Sequence, residues 1–180
     1  GLFFDGVRLG AVVRVWDNQI IGNRAGLTET VRVGDRVAPA PARILGGDYG
    51  GLYLEAIGSG GEVDVRRNRV LSNTAYLTGT TGGDYAGMNA YLGEAGLLTM
   101  VDNTIAGNEA QGSLGGFYAE LSGGPRLVME HNLIRANTAV TDNAGVYIEG
   151  GDDSQYVLRR NRILGTSAGG RSAGLSLHNA

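Results

Sequence analysis

Apolar and polar positions alternate in short runs along the chain, and bend-forming residues separate the runs. In one run, Phe117, Ala119 and Leu121 alternate with Tyr118 and Glu120. A period of two is what a β-strand with one buried face requires. No stretch shows the sustained 3.6-residue period of a capped helix. The pattern therefore predicts an all-β protein built from short strands.

Two recurring phrases organise this alternation. One begins with Asn, has Ile or Val two positions later and Ala seven positions later, and starts at Asn18, Asn68, Asn103, Asn132 and Asn161. The other is a Gly that opens a strand, and its copies start at Gly1, Gly51, Gly87, Gly116, Gly145 and Gly174. The last two steps between the asparagines are 29 residues each. The repeat unit therefore has about 29 residues.

A unit of this size with three short strands predicts a parallel β-helix. The absence of a helical segment argues against repeats that pair a strand with a helix, and a propeller blade needs about 40 residues. Three strands joined by bends can instead stack on the same strands of the next unit, so that each turn covers its neighbour. We expect one all-β solenoid domain over residues 1–180, with five to six turns and equivalent positions aligned in columns.

The columns give the repeated asparagines a structural interpretation. Amide side chains that lie one above another can pass hydrogen bonds from turn to turn. We expect a ladder of this kind at the bend, formed by Asn18, Asn68, Asn103, Asn132 and Asn161. Removing one amide would leave its neighbours without partners, at a cost on the order of 1–3 kcal/mol.

Two turns are longer than the others because they contain the inserted loops 24–50 and 74–86. The loops leave the coil at the same corner and end alike, with Asp48 and Tyr49 in one and Asp84 and Tyr85 in the other. We expect these ends to lie side by side along one flank of the sheet of Gly-led strands. Loops on a rigid scaffold often carry binding residues, and tolerated surface insertion is the alternative explanation.

The outward positions of the Gly-led strands place aromatic rings beside carboxylates, at Tyr53, Glu55, Tyr118, Glu120, Tyr147 and Glu149. Flat rings next to hydrogen-bonding acids suit sugars, which are apolar on one face and rich in hydroxyls at the edge. Cross-strand stacking that only stabilises the sheet explains the same pattern. Together with Asp48, Tyr49, Asp84 and Tyr85, these residues are the candidate ligand-binding set.

The Asn-x-Ile-x-x-Asn phrase, the three-strand turn and the Gly-led strand resemble the right-handed parallel β-helix repeats of the pectate-lyase-like superfamily, over essentially the whole chain. The resemblance implies a right-handed coil and an extracellular or cell-surface location in a bacterium. The superfamily includes polysaccharide lyases, hydrolases and epimerases as well as adhesins, so no single activity is implied. The sequence lacks the signatures of its polygalacturonase-like hydrolases and pectate lyases, and no catalytic residue is carried over.

The amino-acid composition excludes several classes of protein and of binding partner. The 32 Gly and 3 Pro follow no collagen-like period, and 42% apolar residues are enough for a core. With no Cys and 2 His, thiolate and His-rich metal sites are excluded, and we expect no metal and no cofactor. Charges of both signs are interspersed around a net charge of −3, which argues against nucleic acid as a partner. No apolar run approaches the roughly 18 residues of a membrane span.

Three function classes stay open. The favoured class is a non-catalytic extracellular scaffold, surface or adhesin-like, with a face that binds carbohydrate or a partner. The second is a polysaccharide lyase, glycoside hydrolase or epimerase, for which Glu120 and Glu149 on adjacent turns are the candidate acids, since glycoside hydrolysis needs two carboxyls about 5–9.5 Å apart. The third is a self-stacking fibre element, in which open sheet edges recruit adjacent solenoid turns or other copies of the chain. We expect the chain to be an excerpt of a longer solenoid.

Overall fold

The chain winds into a coil of parallel strands. The structure is a computed structural model that describes residues 2–4, 11–25, 32–33, 36–37, 49–57, 60–76, 83–170 and 172–179. In the coil, strands of successive turns pair in parallel and in register. The fold is a right-handed parallel β-helix of about five turns, as the sequence predicts.

Each complete turn contributes one strand to each of four parallel sheets. The Gly-led sheet contains Leu2–Phe4, Leu52–Ile57, Met88–Leu92, Phe117–Leu121, Val146–Gly150 and Leu175–Asn179. The second sheet contains Val12–Trp16, Glu62–Arg66, Leu97–Val101, Arg126–Glu130 and Gln155–Arg159. The third sheet contains Gln19–Ile21, Arg69–Leu71, Thr104–Ala106, Leu133–Arg135 and Arg162–Leu164. The fourth sheet contains Arg24–Ala25, Thr74–Ala75, Glu109–Ala110, Thr138–Ala139 and Ser167–Ala168.

The fourth sheet is a correction to the prediction of three strands per turn. Its strands have only two residues, too few to show an alternating pattern in the sequence. The second residue of each is the repeated Ala, and four of these alanines lie beside Ala86 and Ala144 in a small core of their own, namely Ala75, Ala110, Ala139 and Ala168. Ala75 and Ala110 are completely buried, so the invariant small side chain reflects tight packing at this corner.

The main core consists of columns of equivalent side chains. Phe117 lies in register between Met88 and Val146, and Ile105 lies in register with Ile134. All five are at most 2% exposed. Because burying a large apolar side chain contributes about 1.5–3 kcal/mol, each turn gains its stability from the turns above and below it.

The predicted asparagine ladder is present. Asn103 Nδ2 donates to Asn132 Oδ1 at 2.9 Å and to the Val65 carbonyl at 2.8 Å. Asn103 Oδ1 accepts from the backbone N–H of Asn68 at 2.9 Å. The amide-to-amide bond repeats from Asn18 through to Asn161. The three central amides are at most 2% exposed, so the ladder lies inside the coil.

A second ladder, which was not predicted, runs parallel to the first along Asn23, Asn73, Asn108 and Asn137. The residue before every ladder position has a left-handed backbone with φ between 50° and 67°. Such residues turn the chain sharply at both ends of the third-sheet strand. Gly22 and Gly107 adopt this conformation without the steric penalty of a Cβ, whereas Ser72 and Ala136 adopt it with a Cβ present.

The Gly that opens each strand is required by close stacking. A Cβ on Gly116 would overlap the carbonyl oxygen of Gly145, and a Cβ on Gly87 would overlap that of Gly116 in the same way. At Gly174, in the last turn, a Cβ would meet no described atom within 4 Å. The repeated Gly therefore marks a backbone-to-backbone contact between consecutive turns.

The inserted segments begin inside the coil. Residues 24–25 and 74–75 form strands of the fourth sheet, so the additional chain starts after them. Most of the first insertion and residues 77–82 of the second lie outside the described residues, except for an antiparallel pair between Arg32–Val33 and Arg36–Val37. The described part of the chain holds no helix long and apolar enough to cross a bilayer.

Candidate functional site

The outward face of the Gly-led sheet carries the predicted column of aromatic positions. Asn89 lies in register between Tyr53 and Tyr118, and Tyr147 follows Tyr118 on the next strand. The neighbouring column is regular only in its later part, where the aligned residues are Tyr91, Glu120, Glu149 and His178. A β-bulge interrupts the register of the strand that contains Glu55.

The ends of the two insertions lie side by side, as predicted. Tyr49 and Tyr85 form a parallel bridge, and their rings stack with centroids 5.2 Å apart and planes 8° apart. The same bridge continues to Leu114 and Asn143 in the later turns. Asp48 lies outside the described residues. These bridged residues form a ridge beside the Gly-led sheet, here called the shoulder: Tyr49, Tyr85, Leu114 and Asn143.

Six tyrosines from the sheet and the shoulder form one aromatic group, here called the tyrosine cluster: Tyr49, Tyr53, Tyr85, Tyr91, Tyr118 and Tyr147. Its centroid distances range from 4.0 Å for Tyr49 with Tyr53 to 5.9 Å for Tyr91 with Tyr118. Tyr118 and Tyr147 stack at 5.7 Å with planes 11° apart. These are favourable aromatic geometries, so the cluster holds its rings in fixed orientations.

Burial divides the cluster into a floor and a surface. Tyr53 and Tyr118 are only 5% and 6% exposed, because rings of neighbouring tyrosines cover them. Tyr49 is 39% exposed and Tyr147 is half-buried. The sequence pattern suggested flat, open rings at Tyr53 and Tyr118, whereas the structure leaves aromatic surface accessible at Tyr49 and partly accessible at Tyr85, Tyr91 and Tyr147. The role of all these residues in binding stays a prediction.

Burial raises the pKa of the Tyr118 hydroxyl far above its ordinary value, and the charge of Glu120 adds to the increase. The neutral hydroxyl lies 3.1 Å from Glu120 Oε2 and 3.4 Å from Glu149 Oε2. A hydroxyl has one proton and can donate to one of these oxygens at a time. Tyr118 therefore brings the two predicted carboxyls together and donates its proton to only one of them at a time.

A cleft of about 240 Å³ lies between the shoulder and the tyrosine cluster. Its lining includes the rings of Tyr118 and Tyr147 and the carboxyls of Asp84, Asp142 and Glu149. Among the described residues, no basic side chain lines it. We call it the acidic cleft. It joins aromatic surface to hydrogen-bond acceptors, and its charge disfavours anionic ligands.

Asp142, Asn89 and Tyr91 are residues of this region that the candidate set from the sequence omitted. Asn89 and Tyr91 occupy outward positions of their strand, in two neighbouring columns. The alternation of apolar and polar residues gave no sign of how these side chains would pack. Among the described residues, no group of three His, Asp or Glu side chains is arranged to hold a metal ion. Comparisons of the chain with protein-family models, curated proteins and solved structures gave no match.

Proposed function

We propose that the protein is a non-catalytic extracellular scaffold, surface or adhesin-like, of the pectate-lyase-like superfamily, and that it binds carbohydrate in the acidic cleft. The observation that carries the proposal is the stacked pair of Tyr118 and Tyr147 beside three carboxyls in one concavity. The repeat phrases support the superfamily, and the rigid coil supports a scaffold role.

The stacked pair supplies a preorganised platform. Tyr147 stacks on Tyr118, which also contacts the rings of Tyr85 and Tyr91. Little conformational freedom is therefore lost when a ligand binds. Sugar C–H faces pack on such rings, while ring hydroxyls can donate to the carboxyls of Asp84, Asp142 and Glu149. The cleft is smaller than the roughly 300–1,000 Å³ typical of pockets that enclose a whole ligand. It therefore suits one sugar unit of a longer polymer.

The charge of the cleft defines the class of glycan. The carboxyls of Asp84, Asp142 and Glu149 disfavour uronate and sulfate groups, while neutral and N-acetylated sugars meet no such repulsion. We expect binding to neutral polymers and none to polygalacturonate.

A glycan panel tests this function. Tyr147→Ala should lower the affinity for the bound glycan at least tenfold, because it removes the accessible ring of the platform. Trp16→Ala is the matched control, since Trp16 is an exposed aromatic residue (41%) on the second sheet, away from the cleft. Equal losses in the two variants, or a wild-type protein that binds no glycan on the panel, would contradict the proposal.

Glycan cleavage is a second candidate, favoured by the approach of Glu120 and Glu149 to the same Tyr118 hydroxyl. Most glycoside hydrolases use a pair of nearby carboxyl groups for catalysis. This candidate predicts release of new reducing ends from the bound glycan, and loss of that release in Glu120→Gln and in Glu149→Gln. The non-catalytic scaffold predicts no release by the wild-type protein during prolonged incubation.

A further inference from the structure

Asn89 is an unusual residue of the Gly-led sheet, next to the tyrosine cluster. Its side chain is 1% exposed, and neither Nδ2 nor Oδ1 has a hydrogen-bond partner among the described residues. By contrast, the buried amide of Asn103 in the first ladder has partners for both atoms. A buried carboxamide without partners destabilises the fold, and its presence calls for a reason other than packing.

The position of Asn89 creates a gap between two rings. On the strands to either side, the aligned residues are Tyr53 and Tyr118. Asn is shorter than Tyr, and the ring of Tyr91, two residues further on, contacts both flanking rings edge-on at 5.8 and 5.9 Å. Tyr91 thus spans the gap that Asn89 leaves and contributes to its burial.

Tyr91 is held in this position by few polar interactions. Its hydroxyl lies 3.3 Å from the hydroxyl of Tyr85, and its remaining contacts with the cluster are edge-to-face ring contacts. Rotation of one side chain about χ1 moves the ring away without any change of the backbone. Because the ring of Tyr91 contacts the rings of both Tyr53 and Tyr118, this rotation would open the space between them.

We propose that Asn89 is the floor of a slot for one neutral sugar ring, with Tyr53 and Tyr118 as its walls and Tyr91 as a movable cover. This inference rests on the carbohydrate binding proposed above and extends that site along the sheet from the acidic cleft. The walls stand on strands two spacings apart, about 9.6 Å, which leaves room for a single ring between them. The amide supplies one donor and one acceptor group, which match neighbouring hydroxyls or an N-acetyl group.

Measurements of thermal stability distinguish a ligand-binding role of Asn89 from a structural role in the fold. Asn89→Val and Asn89→Leu replace the carboxamide by apolar groups of different volume, and the melting temperature should rise by about 3–6 °C in at least one of them. Asn103→Val is the matched control, a buried Asn with its hydrogen bonds made, and its melting temperature should fall. A fall in both Asn89 variants would mean that the amide supports the fold, and would overturn the inference.

Binding measurements test the slot itself, with hexamers of glucose, mannose, xylose and N-acetylglucosamine as probes in calorimetric titrations. For any hexamer that the wild-type protein binds, Asn89→Leu should lower the affinity at least tenfold. Tyr91→Ala should raise it about two- to fivefold, because the cover no longer has to move. The double variant should bind as weakly as Asn89→Leu.

The outcomes distinguish the inference from the function on which it rests. If the wild-type protein binds a hexamer and Asn89→Leu binds it equally well, the slot is wrong while carbohydrate binding stands. If Tyr91→Ala abolishes binding, Tyr91 is a platform and not a cover, and the slot is again wrong. If the wild-type protein binds none of the hexamers, both proposals fail.

Discussion

Replacing Asn103 with Ala removes four hydrogen bonds from the middle of the first ladder. Two of these bonds run from Asn68 to Asn103 Oδ1 and two run from Asn103 Nδ2 to Val65 and Asn132. The side chain of Asn68 keeps the carbonyl of Val15 as a partner, but the buried backbone N–H of Asn68 loses the acceptor that Asn103 provides. An orphaned buried donor costs about 1–3 kcal/mol. With the lost bonds of Nδ2, we expect a total loss of about 2–4 kcal/mol.

Thermal and urea unfolding followed by circular dichroism measure this loss. For a chain of this size, 1 kcal/mol corresponds to about 2–4 °C, so the melting temperature of Asn103→Ala should fall by about 5–15 °C. Asn18→Ala is the matched control at the exposed end of the same ladder. There the backbone N–H of Asn18 still donates to Asn68 Oδ1 at 2.9 Å, and no buried group loses its partner. Its loss should stay below about 1 kcal/mol.

Two results would refute the reasoning. An unchanged melting temperature in Asn103→Ala would mean that the ladder amides do not stabilise the coil. Equal losses at Asn103 and Asn18 would mean that the effect comes from the type of residue and not from the buried partners.

Two further predictions follow from the stacking of turns and from the buried phenols. Gly116→Ala should abolish or strongly destabilise the fold because its Cβ overlaps the carbonyl of Gly145, whereas Gly174→Ala in the same phrase should leave the melting temperature nearly unchanged; similar melting temperatures for the two variants would contradict the stacking. Burial raises the pKa of Tyr53, Tyr85 and Tyr118, so the folded chain retains protons that the unfolded chain loses near pH 10, and stability should fall as the pH rises above about 10. In an ultraviolet absorbance titration, these three of the 8 tyrosines should ionise only as the chain unfolds, and full ionisation in a folded protein would argue against their burial.

The coil could be predicted because a repeated phrase carries the same information several times. An apolar column such as Met88, Phe117 and Val146 follows directly from the period and the alternation, and the structure confirms its register. The second ladder had a visible signal as well, since Asn stands five positions after the ladder Asn in four of the five copies. The second ladder was not predicted because no physical role was assigned to this repeated Asn.

The arrangement of the candidate site could not be predicted in the same way. Alternation states which face of a strand a residue occupies, but not where a long side chain lies on that face. The ring of Tyr91 contacts rings on both neighbouring strands, and Tyr49 comes from the end of an insertion. These contacts cover Tyr53 and Tyr118 and help to bury Asn89. The repeated sequence phrases contain no signal for them.

The two ladders give the coil a direction. In each ladder the amide nitrogen donates to the Oδ1 atom of the following turn, without exception from Asn18 to Asn161 and from Asn23 to Asn137. Every turn therefore presents acceptors to its predecessor and donors to its successor. Duplicating or deleting a whole unit restores matched partners at the new junction, while inverting a unit sets donor against donor. The length of the rod can thus change during evolution one turn at a time, with its polarity preserved.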